Sequence, residues 1–142
     1  MESTTKRQPI IPPPFQVWYD AYHFAPATRV GDTIWVSGQV GATPDGTVGE
    51  DIQAQARIAF ESLKAILEAA GASLADVVEL MTFHIDLQGE IEGFAAIKDE
   101  YFPERFPSWT AVGVTQLVFP ELRVEVRAVA VAGSGEKTVV SK

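Results

Sequence analysis

The sequence predicts an α+β fold in which two helices pack on one face of a mixed β-sheet. Residues 33–40 and 122–131 alternate apolar and polar side chains, as strands with one buried face do. Residues 51–70 instead carry apolar side chains at spacings of three and four, which is typical of a helix with one buried face. The elements follow in the order β-β-α-β-α-β-β, which indicates one sheet with its helices in a separate layer.

The chain is predicted to hold one domain with a short extension at each end. Residues 1–20 are expected to form an N-terminal arm, residues 21–132 the domain, and residues 133–142 a flexible C-terminal tail. The arm contains prolines that favour extended backbone. Five aromatic side chains lie between positions 15 and 24, more than a solvated segment carries, so this part needs a partner surface in the core or on a neighbouring subunit.

The first two strands are predicted to form a hairpin. An edge strand over residues 25–30 pairs through a Gly-Asp turn with the strand over residues 33–40. Ser37, Gly38 and Gln39 interrupt the second strand. A glycine at this point indicates a β-bulge or the close approach of a ligand, with a hydroxyl and an amide beside the gap.

The remaining elements form the helical layer and the rest of the sheet. The helix over residues 51–70 begins at an acidic residue, which suits the positive end of the helix dipole, and it stops at Gly71. A strand over residues 77–87 is apolar on both faces, which places it in the middle of the sheet. A second helix is predicted over residues 91–102. The last two strands cover residues 109–114 and 122–131.

Two helices cover only one face of such a sheet. The other face carries valine, tryptophan and phenylalanine side chains. Because a large exposed apolar face is unfavourable in water, the pattern predicts self-association.

Composition disfavours several classes of function. The net charge is −8 and no basic cluster occurs, which argues against nucleic acid as a partner because such binding depends on neutralising phosphates. The chain has no cysteine, and His23 and His84 lack the spacing of a metal site, so both are expected to be structural. No apolar run is long enough to span a bilayer and no signal peptide is evident, so we expect a cytoplasmic protein without a membrane partner.

Three stretches carry a resemblance to a known family: residues 29–40, residues 51–78 and residues 124–130. With these motifs the chain resembles the RidA or YjgF-like proteins, the reactive intermediate deaminases once described as L-PSP endoribonucleases. The resemblance implies a chorismate-mutase-like fold and a homotrimer with an inner β-barrel and small-molecule pockets at its subunit boundaries. Family enzymes hydrolyse enamines and imines such as 2-aminoacrylate to 2-oxo acids and ammonia, without a metal or cofactor.

The resemblance also implies the site residues, position by position. The family's carboxylate on the last strand corresponds to Glu125, which is expected to act on the attacking water. Without the resemblance, Glu125 would be interpreted as a surface residue in a salt bridge with Arg123 or Arg127. The substrate-binding residues are then Phe24, at the position of the family's pocket tyrosine, and Ser37, Gly38, Gln39, Trp109 and Ala111.

Trp109 departs from the family pattern. Active deaminases have an arginine there that holds the substrate carboxylate, and an indole, with one N–H and no charge, cannot replace it. The chain therefore resembles an arginine-lacking branch, in which hydrolysis of 2-aminoacrylate should be weak or absent unless Arg105 or Arg123 substitutes. The alternatives are a non-catalytic module that binds a metabolite or another protein, and an endoribonuclease, which the net charge disfavours.

Overall fold

The computed structural model describes residues 5–136, and within them six strands form a single sheet. The strands are β1 (Gln8–Ile10), β2 (Ala27–Val30), β3 (Thr33–Val40), β4 (Val77–His84), β5 (Ser108–Gly113) and β6 (Val124–Val131). Their order across the sheet is β1-β2-β3-β6-β4-β5, and only the β4–β5 pair is parallel. The helices are α1 (Gln16–Tyr22), α2 (Ile52–Ala69) and α3 (Leu87–Tyr101). The predicted mixed sheet of an α+β fold is confirmed.

The core lies between the sheet and the helices α2 and α3. Phe60 of α2 and Phe94 of α3 are fully buried, with their ring centroids 5.6 Å apart. Helix α2 ends where predicted, because Gly71 adopts a φ of 84°, a conformation that other residues rarely take. Arg29 Nη1 donates a hydrogen bond to the carbonyl of Ala70, one of the groups left free at the end of this helix.

The first turn of α2 depends on Asp51. Its Oδ1 accepts a hydrogen bond of 2.8 Å from the backbone N–H of Ala54, which has no partner within the helix. We expect Asp51→Ala to lower the free energy of unfolding by about 1 kcal/mol, measured by urea denaturation. Asp51→Asn is the matched control, because asparagine caps a helix as well as aspartate does; an equal loss in both variants would contradict this role.

From residue 8 onward, the segment predicted as an N-terminal arm packs against the rest of the chain. β1 pairs with β2, and Ile10 and Phe15 are buried in the core. The aromatic-rich stretch forms α1, a third helix that the sequence did not predict. Seven residues make fewer than two helical turns, so their apolar spacing carries little helical signal. At the other end, Ser134 and Gly135 hydrogen-bond to Asp76, while the rest of the predicted tail, residues 137–142, lies outside the described residues.

A β-bulge divides β3. Val36 pairs with Ala128 and Gln39 pairs with Val126, so β3 has one residue more than β6 over this interval. The extra residue turns Gln39 toward the helical layer together with Val36. The sequence-based alternation placed Gln39 on the opposite face, and the bulge is the reason for the difference.

The face of the sheet away from α2 and α3 is partly apolar. Trp35 and Val78 are each 42% exposed on the described chain. No helix within residues 5–136 combines the length and apolar character needed to cross a membrane.

Candidate functional site

A cavity of about 240 Å³ opens beside the bulge of β3. Three parts of the chain form it: α1 with the residues after it, the adjoining strands β3 and β6, and the connection between β5 and β6. Among the lining residues Glu125 is the only one that is charged at neutral pH, and most of the others are apolar or aromatic. The lining residues are Trp18, Tyr22, Phe24, Gly38, Val40, Val118, Phe119 and Glu125.

The carboxyl group of Glu125 lies directly against the backbone of Gly38. A Cβ atom placed on Gly38 would lie 2.6 Å from Glu125 Cδ and closer still to Oε2. Side-chain atoms do not approach so closely, so position 38 accommodates only glycine while Glu125 keeps this conformation. The sequence predicted a close approach at Gly38, and within this chain the group that approaches is the glutamate.

Glu125 is partly buried and, among the described residues, has no cationic partner. Burial raises the pKa of its carboxyl above the ordinary value for glutamate, because the charged form loses hydration. Arg123 pairs instead with Glu90, with 2.6 Å between Nη2 and Oε2. In residues 5–136 no cation lies within 4.0 Å of the Glu125 carboxylate, so it is not the salt-bridged surface residue considered as an alternative. A desolvated carboxyl with a raised pKa in a cavity is suited to proton transfer.

Trp109 lies on the other face of the sheet from Glu125. Its indole N–H donates a hydrogen bond of 2.9 Å to Thr82 Oγ1, and its ring lies 6.0 Å from that of Phe94 between centroids. The Lys98 ammonium group lies 4.6 Å from the centre of the same ring. Trp109 therefore packs in the helical layer, and this chain does not bring it into the Glu125 cavity.

Ala111 follows Trp109 by two positions and shares its side of β5. It is in register with Thr82 of β4, which is buried in the helical layer. β4 and β6 also separate β5 from β3 in the sheet. Ala111 is thus remote from the cavity for the same reason as Trp109.

Ser37 and Gln39 hold the bulge rather than lining the cavity. Ser37 Oγ donates a hydrogen bond of 2.6 Å to the carbonyl of Ala25, and Gln39 Nε2 donates to the carbonyl of Ser37. Gln39 is only 1% exposed. Of the predicted site residues, the structure brings together Phe24, Gly38 and Glu125.

Five cavity residues were not predicted: Trp18, Tyr22, Val40, Val118 and Phe119. The density of aromatic side chains over residues 15–24 was a signal for the first two, because it indicated a partner surface. Val118 and Phe119 lie in an irregular connection whose position no periodic pattern describes. Val40, the remaining lining residue, is exposed to the cavity by the bulge.

His84 belongs to a buried chain of hydrogen bonds. Its Nε2 lies 2.7 Å from Thr82 Oγ1, which already accepts the Trp109 N–H. Thr82 Oγ1 thus links the indole of Trp109 to the imidazole of His84, whose Nδ1 is buried without a hydrogen-bond partner among the described residues. Burial lowers the pKa of His84, so the ring stays neutral. Among residues 5–136, no cluster of three or more potential ligands could hold a metal ion.

The buried imidazole predicts a pH dependence of stability. The lowered pKa of His84 means that the unfolded chain binds a proton at a higher pH than the folded chain does. We expect the free energy of unfolding to fall as the pH decreases through about 6.5 toward the lowered pKa, and to be independent of this group at higher pH. Urea denaturation at a series of pH values measures this effect.

His84→Gln is the comparison for this measurement. The difference in pH dependence between the two proteins isolates the imidazole, because Glu125, whose raised pKa acts in the opposite direction, is present in both. Identical pH dependence in both proteins would contradict the assignment.

Comparison with known proteins identifies the family. The family model described as Endoribonuclease L-PSP matches residues 18–132. The chain belongs to this family. Its predicted membership of the RidA or YjgF-like group is thereby confirmed.

Members of the L-PSP family from bacteria are similar over most of the chain. The RutC family protein YjgH of Escherichia coli K12 is 40% identical over 111 residues, which cover 78% of this chain and 85% of that protein. The 2-iminobutanoate/2-iminopropanoate deaminase of Salmonella typhimurium LT2 is 36% identical over 106 residues, or 72% and 81% of the two chains. The solved structure of a protein named YJGH superposes with a TM-score of 0.81 at 37% identity and covers 89% of this chain and 96% of that one. The L-PSP family fold therefore extends over nearly the whole described chain, and the family includes imine deaminases.

Proposed function

We propose that this protein hydrolyses an enamine or imine metabolite in the Glu125 cavity. The observation that carries the proposal is the carboxyl group of Glu125, which is partly buried against Gly38 and is free of any cation in residues 5–136. The printed names of relatives such as the Salmonella deaminase support the same class of reaction.

The proposed reaction uses Glu125 to move two protons in turn. Its carboxylate takes a proton from water while the water oxygen forms a bond to the imine carbon, and that proton passes to nitrogen, which gives a carbinolamine. Glu125 then takes the proton of the new hydroxyl group and passes it to nitrogen as the C–N bond breaks, and a carbonyl compound and ammonia leave. The raised pKa brings the carboxyl closer to the working pH, where a group that both accepts and returns a proton is most effective.

A homotrimer is part of the proposal. The sheet face that carries Trp35 and Val78 is open in one chain, and self-association would cover it. Light scattering on the purified protein tests this point; a monomer would show that the face stays exposed.

We further propose that 2-aminoacrylate is a poor substrate. Within one chain none of the residues that line the cavity is basic: Arg105 lines other pockets, and Arg123 is paired with Glu90. The test is an assay with 2-aminoacrylate generated in situ by a pyridoxal-phosphate dehydratase, beside a panel of imines that lack a carboxylate. We expect ammonia release from members of the panel and little from 2-aminoacrylate. Fast hydrolysis of 2-aminoacrylate would overturn the specificity, and no hydrolysis of any imine would overturn the function.

A binding role without turnover is the second candidate. One observation favours it: apart from Glu125, only Tyr22 among the lining residues has a side chain that can transfer a proton. This candidate predicts saturable binding of an imine analogue with no release of ammonia.

A further inference from the structure

We propose that the cavity selects a small organic cation, an iminium or alkylammonium group, over a metabolite that carries a carboxylate. This inference rests on the proposed function in so far as both assign activity to the Glu125 cavity. It names the class of substrate, which the fold alone does not specify.

Aromatic side chains from three segments surround the cavity. Trp18 and Tyr22 come from α1, Phe24 follows that helix, and Phe119 belongs to the connection between β5 and β6. Aromatic rings attract cations through the negative potential of their faces, and clusters of such rings recognise alkylated ammonium groups. A cavity of about 240 Å³ has room for a group of that size.

The cavity carries a negative charge, which favours binding of a cation. Glu125 supplies the one carboxylate, and in the described part of the chain no basic side chain pairs with it. Within one chain, an anion would be repelled by Glu125 and would lose its hydration without gaining a charged donor, whereas a cation would supply the partner that the carboxylate lacks. The net charge of −8 also favours the approach of cations over anions.

Among residues 5–136, Glu125 and Tyr22 are the titratable side chains that line the cavity, and His23 lies in the chain between the lining residues Tyr22 and Phe24. β3 contributes Gly38 and Val40, α1 contributes Tyr22, and β4 places Phe83 opposite Glu125 in register. Arg127 lies two positions along β6 and is exposed. Because a cation binds the ionised carboxylate, affinity is expected to rise with pH through the raised pKa of Glu125 and then to level off.

The same charge arrangement suits hydrolysis of an iminium ion. Water adds to the iminium carbon as Glu125 accepts one of its protons, which gives a neutral carbinolamine. Glu125 returns that proton to nitrogen, then accepts the hydroxyl proton as the C–N bond breaks and passes it to the departing amine. The products are a carbonyl compound and an ammonium ion, so the positive charge of the substrate leaves on the amine. The Glu125 carboxylate therefore faces a positive charge both at the start of the reaction, on the iminium ion, and at its end, on the ammonium ion.

Isothermal titration with three probes of the same shape tests the selection. Choline carries the cation, 3,3-dimethylbutan-1-ol is its neutral counterpart, and 3,3-dimethylbutanoate is an anion of similar size. We expect choline to bind about tenfold more tightly than the alcohol, and the anion not to bind. Preference for the alcohol or the anion, or no binding of choline, would overturn the proposal.

Variants locate the binding to this cavity. Phe119→Leu and Glu125→Gln should each weaken choline binding severalfold, while Phe106→Leu, which changes a 70% exposed ring outside the cavity lining, should not. Equal affinity in all three variants would overturn the proposed site. Choline binding without any imine hydrolysis would reject the proposed function and leave the selection intact, whereas imine hydrolysis with preference for the anion would reject only the selection.

Discussion

Glu125→Gln is expected to lower kcat/KM for imine hydrolysis by a factor of about 10²–10⁴. Glutamine has nearly the same shape as glutamate, so it can occupy the space beside Gly38, but its amide cannot accept the proton of the attacking water. Ammonia release measured on the imine panel gives the change directly. The midpoint of urea denaturation should stay close to that of the parent protein.

Glu121→Gln is the matched control for this substitution. Glu121 is exposed, lies only four positions before Glu125, and contributes its backbone carbonyl rather than its side chain to the contact with Gln55. It should therefore retain the parent activity. Unchanged hydrolysis by Glu125→Gln would remove the carboxyl group from the mechanism.

Gly38→Ala is expected to reduce activity by about 10²-fold or more, although the new methyl group takes no part in the chemistry. The added Cβ would overlap the carboxyl group of Glu125, which must then move by about 1 Å, and a misplacement of that size is sufficient for such a loss. The assay on the imine panel measures it, and near-ultraviolet circular dichroism reports whether the protein remains folded.

A strand glycine with free space provides the control. A Cβ atom at Gly113 of β5 would have its nearest neighbours at 3.7 and 3.9 Å, which is ordinary contact. Gly113→Ala should keep the parent activity. Full activity in Gly38→Ala would show that the observed position of Glu125 is not the one that acts.

The elements with strong periodicity were predictable from sequence. α2 was predicted over residues 51–70 and spans Ile52–Ala69, because eighteen residues give the apolar stripe several repeats. α3 begins at Leu87, four residues earlier than predicted. Asp86 caps it by accepting a hydrogen bond from the N–H of Gly89, and the glycines in this helix weaken its apolar pattern.

The site was less predictable because it depends on register. Gly38 and Glu125 could be found from their motifs, but the direction of Gln39 depends on one extra residue in β3, which the alternation of side chains does not reveal. The face of the sheet on which Trp109 lies depends on how β5 pairs with β4, and the whole of α3 separates these two strands in the sequence. Contacts between distant segments decided both outcomes, and a local pattern contains no information about them.

The contact between Gly38 and Glu125 also limits how this protein can evolve. A side chain at position 38 is compatible only with a residue at position 125 that is shorter or turned away. Substitutions at the two positions are therefore coupled, and the cost of the second change falls once the first has occurred. Where Glu125 is replaced by a smaller residue, glycine is no longer required at position 38. We therefore expect Gly38 and Glu125 to be retained together or replaced together.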